Sequence, residues 1–163
     1  MIQLRTYQEN TICALRNNIK SGIKRQILCA ATGAGKTVMF SYMVSKAIEK
    51  NKKCLILTHR SELLLQAGGT LSNFGLNPVY VNPKVRSLDF SNKLYVAMTK
   101  TVMARIKKEE YKEWLQSFDL IIIDESHLQE FNSIQPYFNE KTIVIGATAA
   151  PIVTGKQIGR AHV

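Results

Sequence analysis

Ala30-Ala31-Thr32-Gly33-Ala34-Gly35-Lys36-Thr37 decides the fold of this chain, because a strand-like run, Arg25-Gln26-Ile27-Leu28-Cys29, leads into it and a helically spaced stretch from Val38 to Ile48 leads out. Small residues let backbone N–H groups close around phosphate oxygens, while Lys36 supplies a cation and Thr37 a hydroxyl for Mg²⁺. Ala30 stands where the G-x-x-x-x-G-K-[ST] pattern has its first glycine. The flanking strand and helix are the context that the pattern requires.

Far downstream, Leu120-Ile121-Ile122-Ile123-Asp124-Glu125-Ser126-His127 answers that loop. Its four apolar residues read as a buried parallel strand, which ends by presenting Asp124 to a metal ion and Glu125 to an attacking water. An acidic strand end can also merely cap the next helix. Beside a phosphate loop, the pairing reads instead as a nucleotide hydrolysis site.

Composition fits one compact domain: 163 residues, 45% hydrophobic and 21% charged, are enough for one sizeable core and too few for a second full lobe. A formal charge of +10 and a pI near 9.7 favour a polyanionic partner, and ATP and nucleic acid both qualify. The clusters Lys50, Lys52, Lys53 and Lys107, Lys108 read either as part of such a surface or as the solvated ends of helices. Cys13, Cys29 and Cys54 lack metal-ligand spacing and read as reduced core thiols. No apolar h-region follows Met1-Ile2-Gln3-Leu4-Arg5 and no run approaches membrane-spanning length, so a cytoplasmic protein without a membrane partner is expected.

Thr6 to Lys20 reads as an amphipathic helix with Ile12, Leu15 and Ile19 on one face. Cys54-Leu55-Ile56-Leu57 is a core strand, followed by a helix that Ser61 caps and that carries Leu63, Leu64 and Leu65. Val79-Tyr80-Val81 and Leu94-Tyr95-Val96-Ala97 add two strands separated by polar turn residues, and Ile143-Val144-Ile145 makes the last. The alternation predicts an α/β fold: a mostly parallel sheet with helices on both faces and ligands at the carboxyl ends of the strands.

Four further strings punctuate the chain: Leu4-Arg5-Thr6-Tyr7-Gln8, Leu57-Thr58-His59-Arg60, Val96 to Thr101, and Gly146-Ala147-Thr148-Ala149-Ala150-Pro151. With the phosphate loop and the acidic strand, this ordered series resembles the first RecA-like P-loop lobe of a superfamily 2 helicase of the DEAD/DEAH-like group, in particular its phage and bacterial Res-type members. The likeness runs from Leu4 to about Pro151.

The resemblance implies an ATP-dependent nucleic-acid helicase with ATP and Mg²⁺ as cofactors. Gln8 would read adenine, with Arg5 and Tyr7 supporting that end. Thr32, Gly33, Ala34, Gly35, Lys36 and Thr37 would cradle the phosphates, Thr37 and Asp124 would hold the metal, and Glu125 would orient or deprotonate the lytic water. His127 would link hydrolysis to the coupling residue Thr148. Arg60, Thr99, Lys100 and Thr101, on loops after the second and fourth strands, would lie on a nucleic-acid backbone, with DNA preferred over RNA. Lys100 stands where many relatives have glutamine, and Ala150 where they usually have a second threonine.

In that family a second RecA-like lobe supplies arginines across the cleft, and it would be the other partner of this one. Two other readings remain open: a motor that translocates on duplex DNA without unwinding it, and a nucleotide-gated binding module. Ile158 to Val163 back-translates through permitted codons to ATC GGA AGA GCA CAC GTC, a common sequencing-adapter string. A domain over residues 1–157 with a non-native tail over residues 158–163 is therefore expected.

Overall fold

The computed structural model describes residues 2–30, 35–125, 129–149 and 159–162. The elements run α1 (Thr6–Lys20), β1 (Arg25–Cys29), α2 (Lys36–Glu49), β2 (Cys54–Thr58), α3 (Ser61–Asn73), β3 (Val79–Val81), β4 (Leu94–Met98), α4 (Thr99–Arg105), α5 (Glu109–Gln116), β5 (Leu120–Asp124), α6 (Gln129–Ile134), a 3₁₀ turn (Gln135–Tyr137), β6 (Ile143–Thr148) and β7 (Gly159–His162). Among the described residues the sheet has seven strands in the order β3-β4-β2-β5-β6-β1-β7, and every pairing is parallel. This is the RecA-like α/β architecture expected from the sequence.

The two-residue period of the strands divides the core. Leu28, Ile56, Val96, Ile122 and Ile145 face one cluster with Ile12 and Leu15 of α1, Met39 and Val44 of α2, and Leu64 and Leu71 of α3. Leu55, Tyr95, Ile121, Ile123 and Val144 face the other, with Val102 of α4, Trp114 and Leu115 of α5, and Phe131 and Ile134 of α6. Both faces are covered, which explains why strands such as Leu120–Asp124 read as unbroken apolar runs. Each fully buried Leu or Ile contributes on the order of 2 kcal/mol, so the sheet's register is strongly fixed.

Several expectations need correction. Ser61 is not a cap: Arg60 holds extended angles (φ −130°, ψ 147°) and its carbonyl accepts the first helical bond from Leu64 at 3.1 Å, which makes Ser61 the first helical residue. Leu64, Ala67 and Leu71 face the core, while Leu65 projects the other way and is 66% exposed. Cys13 lies on the solvent side of α1 and is exposed, whereas Cys54 is buried and its thiol is pushed up to about 12 by desolvation. Ile143–Thr148 is not the last strand. Gly159–His162, within the segment expected to be non-native, lies at the sheet edge as β7, where pairing uses backbone groups and places no demand on side-chain identity.

No helix joins β3 to β4. The segment from Asn82 to Lys93 makes the crossover, anchored by Phe90 edge-on to Tyr111 at 5.2 Å and by the Tyr95 hydroxyl donating to the Asp89 carbonyl at 2.5 Å. Lys53 leaves the lysine cluster to which it was assigned. Its ammonium donates to Ser117 Oγ at 2.7 Å and lies 5.0 Å from the Phe118 ring centre, and burial lowers its pKa.

Candidate nucleotide site

Because the sheet is wholly parallel, motifs far apart in sequence end on one edge. Cys29 of β1 lies in register with Thr148 of β6, Asp124 of β5 with Ala147, and Thr58 of β2 with Met98 of β4. Ala30 continues the ladder, its N–H donating to the Thr148 carbonyl at 3.0 Å. The end of β1, which leads into the phosphate loop, and the acidic strand end therefore stand on either side of the end of β6.

Gly35 is the N-cap of α2 in the left-handed conformation (φ 77°). A Cβ there would be strained by that conformation and would also force the side-chain amide of Gln8 to shift. Gln8 is only 5% exposed, and its Oε1 accepts the Arg5 backbone N–H at 2.9 Å. The position of α1 is set in turn by buried Gln26 of β1, which donates to the Leu15 carbonyl at 3.0 Å and accepts from Asn18 at 2.9 Å. Gln8 thus abuts the phosphate loop, with Tyr7 half-buried beside it and Arg5 exposed at the N-cap of α1.

The charged centre lies across the loop. Lys36 Nζ is 3.3 Å from Glu125 Oε1, with side-chain exposures of 14% and 27%. Asp124 is 8% exposed; burial, then the Glu125 charge, raises its pKa, while Lys36 and more weakly His59 oppose the shift. Glu125 holds φ 57°, a conformation that costs a non-glycine residue roughly 1–2 kcal/mol. Two adjacent carboxylates set against one ammonium form a donor set short of positive charge. Hard oxygen donors of this kind suit a divalent cation such as Mg²⁺, and Thr37 is half-buried at the start of α2.

The other predicted residues divide. Thr148 is fully buried at the end of β6. Thr99 and Thr101 are helical rather than in a loop, and buried; the Thr99 hydroxyl donates to the Thr58 carbonyl at 3.1 Å and so ties β4 to the end of β2. Arg60 and Lys100 are exposed on that same edge. Thr32, Gly33, Ala34, His127 and Ala150 lie outside the described residues.

His59 was quoted within a motif but given no role. It follows β2, its ring meets Phe131 of α6 edge-on at 6.5 Å, and its Nδ1 is buried without a hydrogen bond among the described residues. The available signal was its position directly after a buried strand and directly before Arg60.

The fold and this edge define the class: a RecA-like P-loop domain of the superfamily 2 helicase type. The chain belongs to the family described as the res subunit of type III restriction enzymes, whose pattern matches residues 1–153. It is 35% identical over 159 residues to the putative ATP-dependent helicase IRC3 of Saccharomyces cerevisiae, an alignment covering 92% of this chain and 22% of that protein. It is 29% identical over 133 residues to the EcoKI endonuclease subunit, a type I restriction enzyme of Escherichia coli, covering 76% of this chain and 11% of that protein. Among solved structures, the Hef helicase domain of Pyrococcus furiosus superposes with a TM-score of 0.74 at 20% identity, over 97% of this chain and 37% of that one. The UvsW helicase of bacteriophage T4 gives 0.71 at 21% identity, over 91% and 53%. The chain thus spans between a tenth and a quarter of the length of these sequence relatives. Among the described residues no helix is long and apolar enough to cross a membrane.

Proposed function

We propose that this chain is the nucleotide-binding lobe of an ATP-dependent nucleic-acid helicase. The observation that carries the reading is the cluster of Lys36, Glu125 and Asp124 at the carboxyl ends of the strands, with Gln8 against the phosphate loop. The name of the IRC3 relative, an ATP-dependent helicase, supports it. Lys36 and the first N–H groups of α2 would hold the phosphates, where the helix dipole favours anions. Thr37 and Asp124 would hold Mg²⁺, which when bound neutralises charge on the transferred phosphoryl group. Gln8 would read the adenine edge, and Glu125 would orient the attacking water or accept its proton. Arg60 and Lys100 would rest on a nucleic-acid backbone, coupled to hydrolysis through Thr148 and His127.

DNA is the favoured polymer. Two structural neighbours were solved with DNA, the restriction-modification enzyme LlaGI with a substrate mimic and the Sulfolobus solfataricus SWI2/SNF2 ATPase core with duplex. The SWI2/SNF2 likeness and the restriction-enzyme family also support a second reading, a motor that translocates on duplex DNA without separating it. The first test is calorimetric titration of the chain with Mg²⁺-ATP and Mg²⁺-GTP: the account expects ATP to be preferred and Lys36→Ala to abolish binding. On a protein of the relatives' full length, strand displacement then separates helicase from translocase, because triplex displacement alone would select the second reading.

A further inference from the structure

A cavity of about 700 Å³ opens beside Leu120 and Ile143, the first residues of β5 and β6, at the end of the sheet opposite the phosphate loop. Its rim carries six cations: Arg16 and Lys20 from α1, Lys46 and Lys50 from the end of α2, Lys52 ahead of β2, and Lys141 ahead of β6. Against them stand only Glu49 and Asp119. Glu49 pairs with Lys46 at 3.5 Å, and Asp119 Oδ2 accepts the Lys53 backbone N–H at 2.8 Å. Among the described residues no ion pair reaches Arg16, Lys20, Lys50, Lys52 or Lys141, and all five are exposed.

Charge at helix ends does not account for this concentration. The carbonyl ends of α1 and α2 supply about half a negative charge each, so together with two carboxylates they leave an excess of about three positive charges. Such an excess raises the free energy of the compact state unless a polyanion covers it. Met43 and Leu120 at the floor are each 7% exposed, which leaves little surface for an apolar anchor. Tyr42 offers no free stacking platform, because Arg16 and Lys46 lie 5.8 and 5.4 Å from its ring centre. The lining therefore suits phosphates rather than bases or an apolar-anchored acidic peptide.

We infer that this cavity is a second contact for a nucleic-acid phosphodiester backbone, on the side of the lobe away from hydrolysis. The inference rests on the nucleic-acid reading above. The cavity is distinct from the surface at Arg60 and Lys100, which lies at the other end of the strands, roughly 16 Å away for five residues. Binding here is independent of sequence.

The test is fluorescence anisotropy of the full chain with a labelled duplex of roughly 20 base pairs, titrated between about 50 and 200 mM salt. In the variant Lys20→Ala/Lys50→Ala/Lys141→Ala the slope of log K against log salt should become shallower by about 0.9 per lost contact, two to three units in all, with an affinity loss of about tenfold or more at low salt. All three residues are exposed, and a thermal midpoint no lower than that of the unaltered chain shows that the fold is intact. An unchanged slope in this variant, while Arg60→Ala/Lys100→Ala loses DNA, overturns the inference and leaves the proposed function standing. A poly-glutamate peptide that binds the chain as tightly as the duplex, and loses binding in the same variant, overturns it in favour of an acidic protein partner. Absence of any DNA binding by the unaltered chain overturns the proposed function itself.

Discussion

The Lys36 ammonium lies 3.3 Å from the Glu125 carboxylate, joining the start of α2 to the end of β5 across the intervening strand β6. In the proposed mechanism both groups have other work, Lys36 at phosphate oxygens and Glu125 at water, so the pair competes with nucleotide. Glu125→Gln should therefore bind Mg²⁺-ATP at least as tightly as the unaltered chain. The gain is limited to about fivefold, because a partly exposed pair is worth only about 0–1 kcal/mol. Calorimetry compares the two, and a large loss of affinity in the variant would show that Glu125 holds the nucleotide rather than the water.

Ionised Asp124 costs the fold stability. Its carboxyl is buried and its pKa raised, by desolvation first and by Glu125 second, so the folded state binds a proton more readily than the unfolded state. The ionised form thus weakens the fold above the folded pKa, and that penalty is relieved as pH falls through the folded value. Asp124→Asn should raise stability at neutral pH by about 1 kcal/mol, with the gain shrinking toward acid pH, while Mg²⁺-dependent nucleotide binding is lost. Thermal or urea unfolding at several pH values checks the first part and calorimetry the second.

Gly35→Ala should be disproportionately costly for so small a change. The new Cβ would be strained at φ 77° and would meet the Gln8 amide, so a loss of about 1–3 kcal/mol is expected together with weakened ATP preference. Gly69→Ala is the control, since nothing lies within 4 Å of a Cβ there and alanine favours a helix. Equal effects at the two positions would remove Gln8 from the nucleotide edge.

His59→Leu probes the unpartnered imidazole. Removing a buried polar atom that makes no hydrogen bond should leave stability unchanged or slightly higher. If His59 conveys the state of Arg60 to Asp124, stimulation of hydrolysis by nucleic acid in a full-length protein should fall while ATP affinity holds. A stability loss above about 2 kcal/mol would instead mark His59 as a packing residue through Phe131.

The parts legible in sequence are those where one residue type answers one physical demand. Lys36 and Thr37 after a glycine turn, and Asp124 at the end of four apolar residues, announce their elements because buried strands and phosphate loops tolerate few alternatives. The helix Glu109–Gln116 was missed, since only Tyr111, Trp114 and Leu115 mark its buried side within a run dominated by charge. The burial of Thr99 and Thr101 was equally hidden. A hydroxyl that ties two strands together has the same local sequence as one that faces a phosphate, and only the register of β2 and β4 distinguishes them. Lys53 parted from Lys50 and Lys52 for a comparable reason, because its aromatic cage comes from residues more than thirty positions away.

That this chain is the nucleotide-binding lobe of a DNA-stimulated motor is decided by ATP hydrolysis with and without DNA, in a protein that carries this domain within the full length of its relatives and in the 163-residue chain alone. The full-length protein should hydrolyse ATP, be stimulated by DNA, and lose turnover in Glu125→Gln while retaining ATP binding. The chain alone should turn over negligibly, since an arginine supplied from outside the lobe is worth about 10³ to 10⁵ in rate. A full-length protein without DNA-stimulated hydrolysis, or robust Glu125-dependent turnover by the isolated chain, would contradict it.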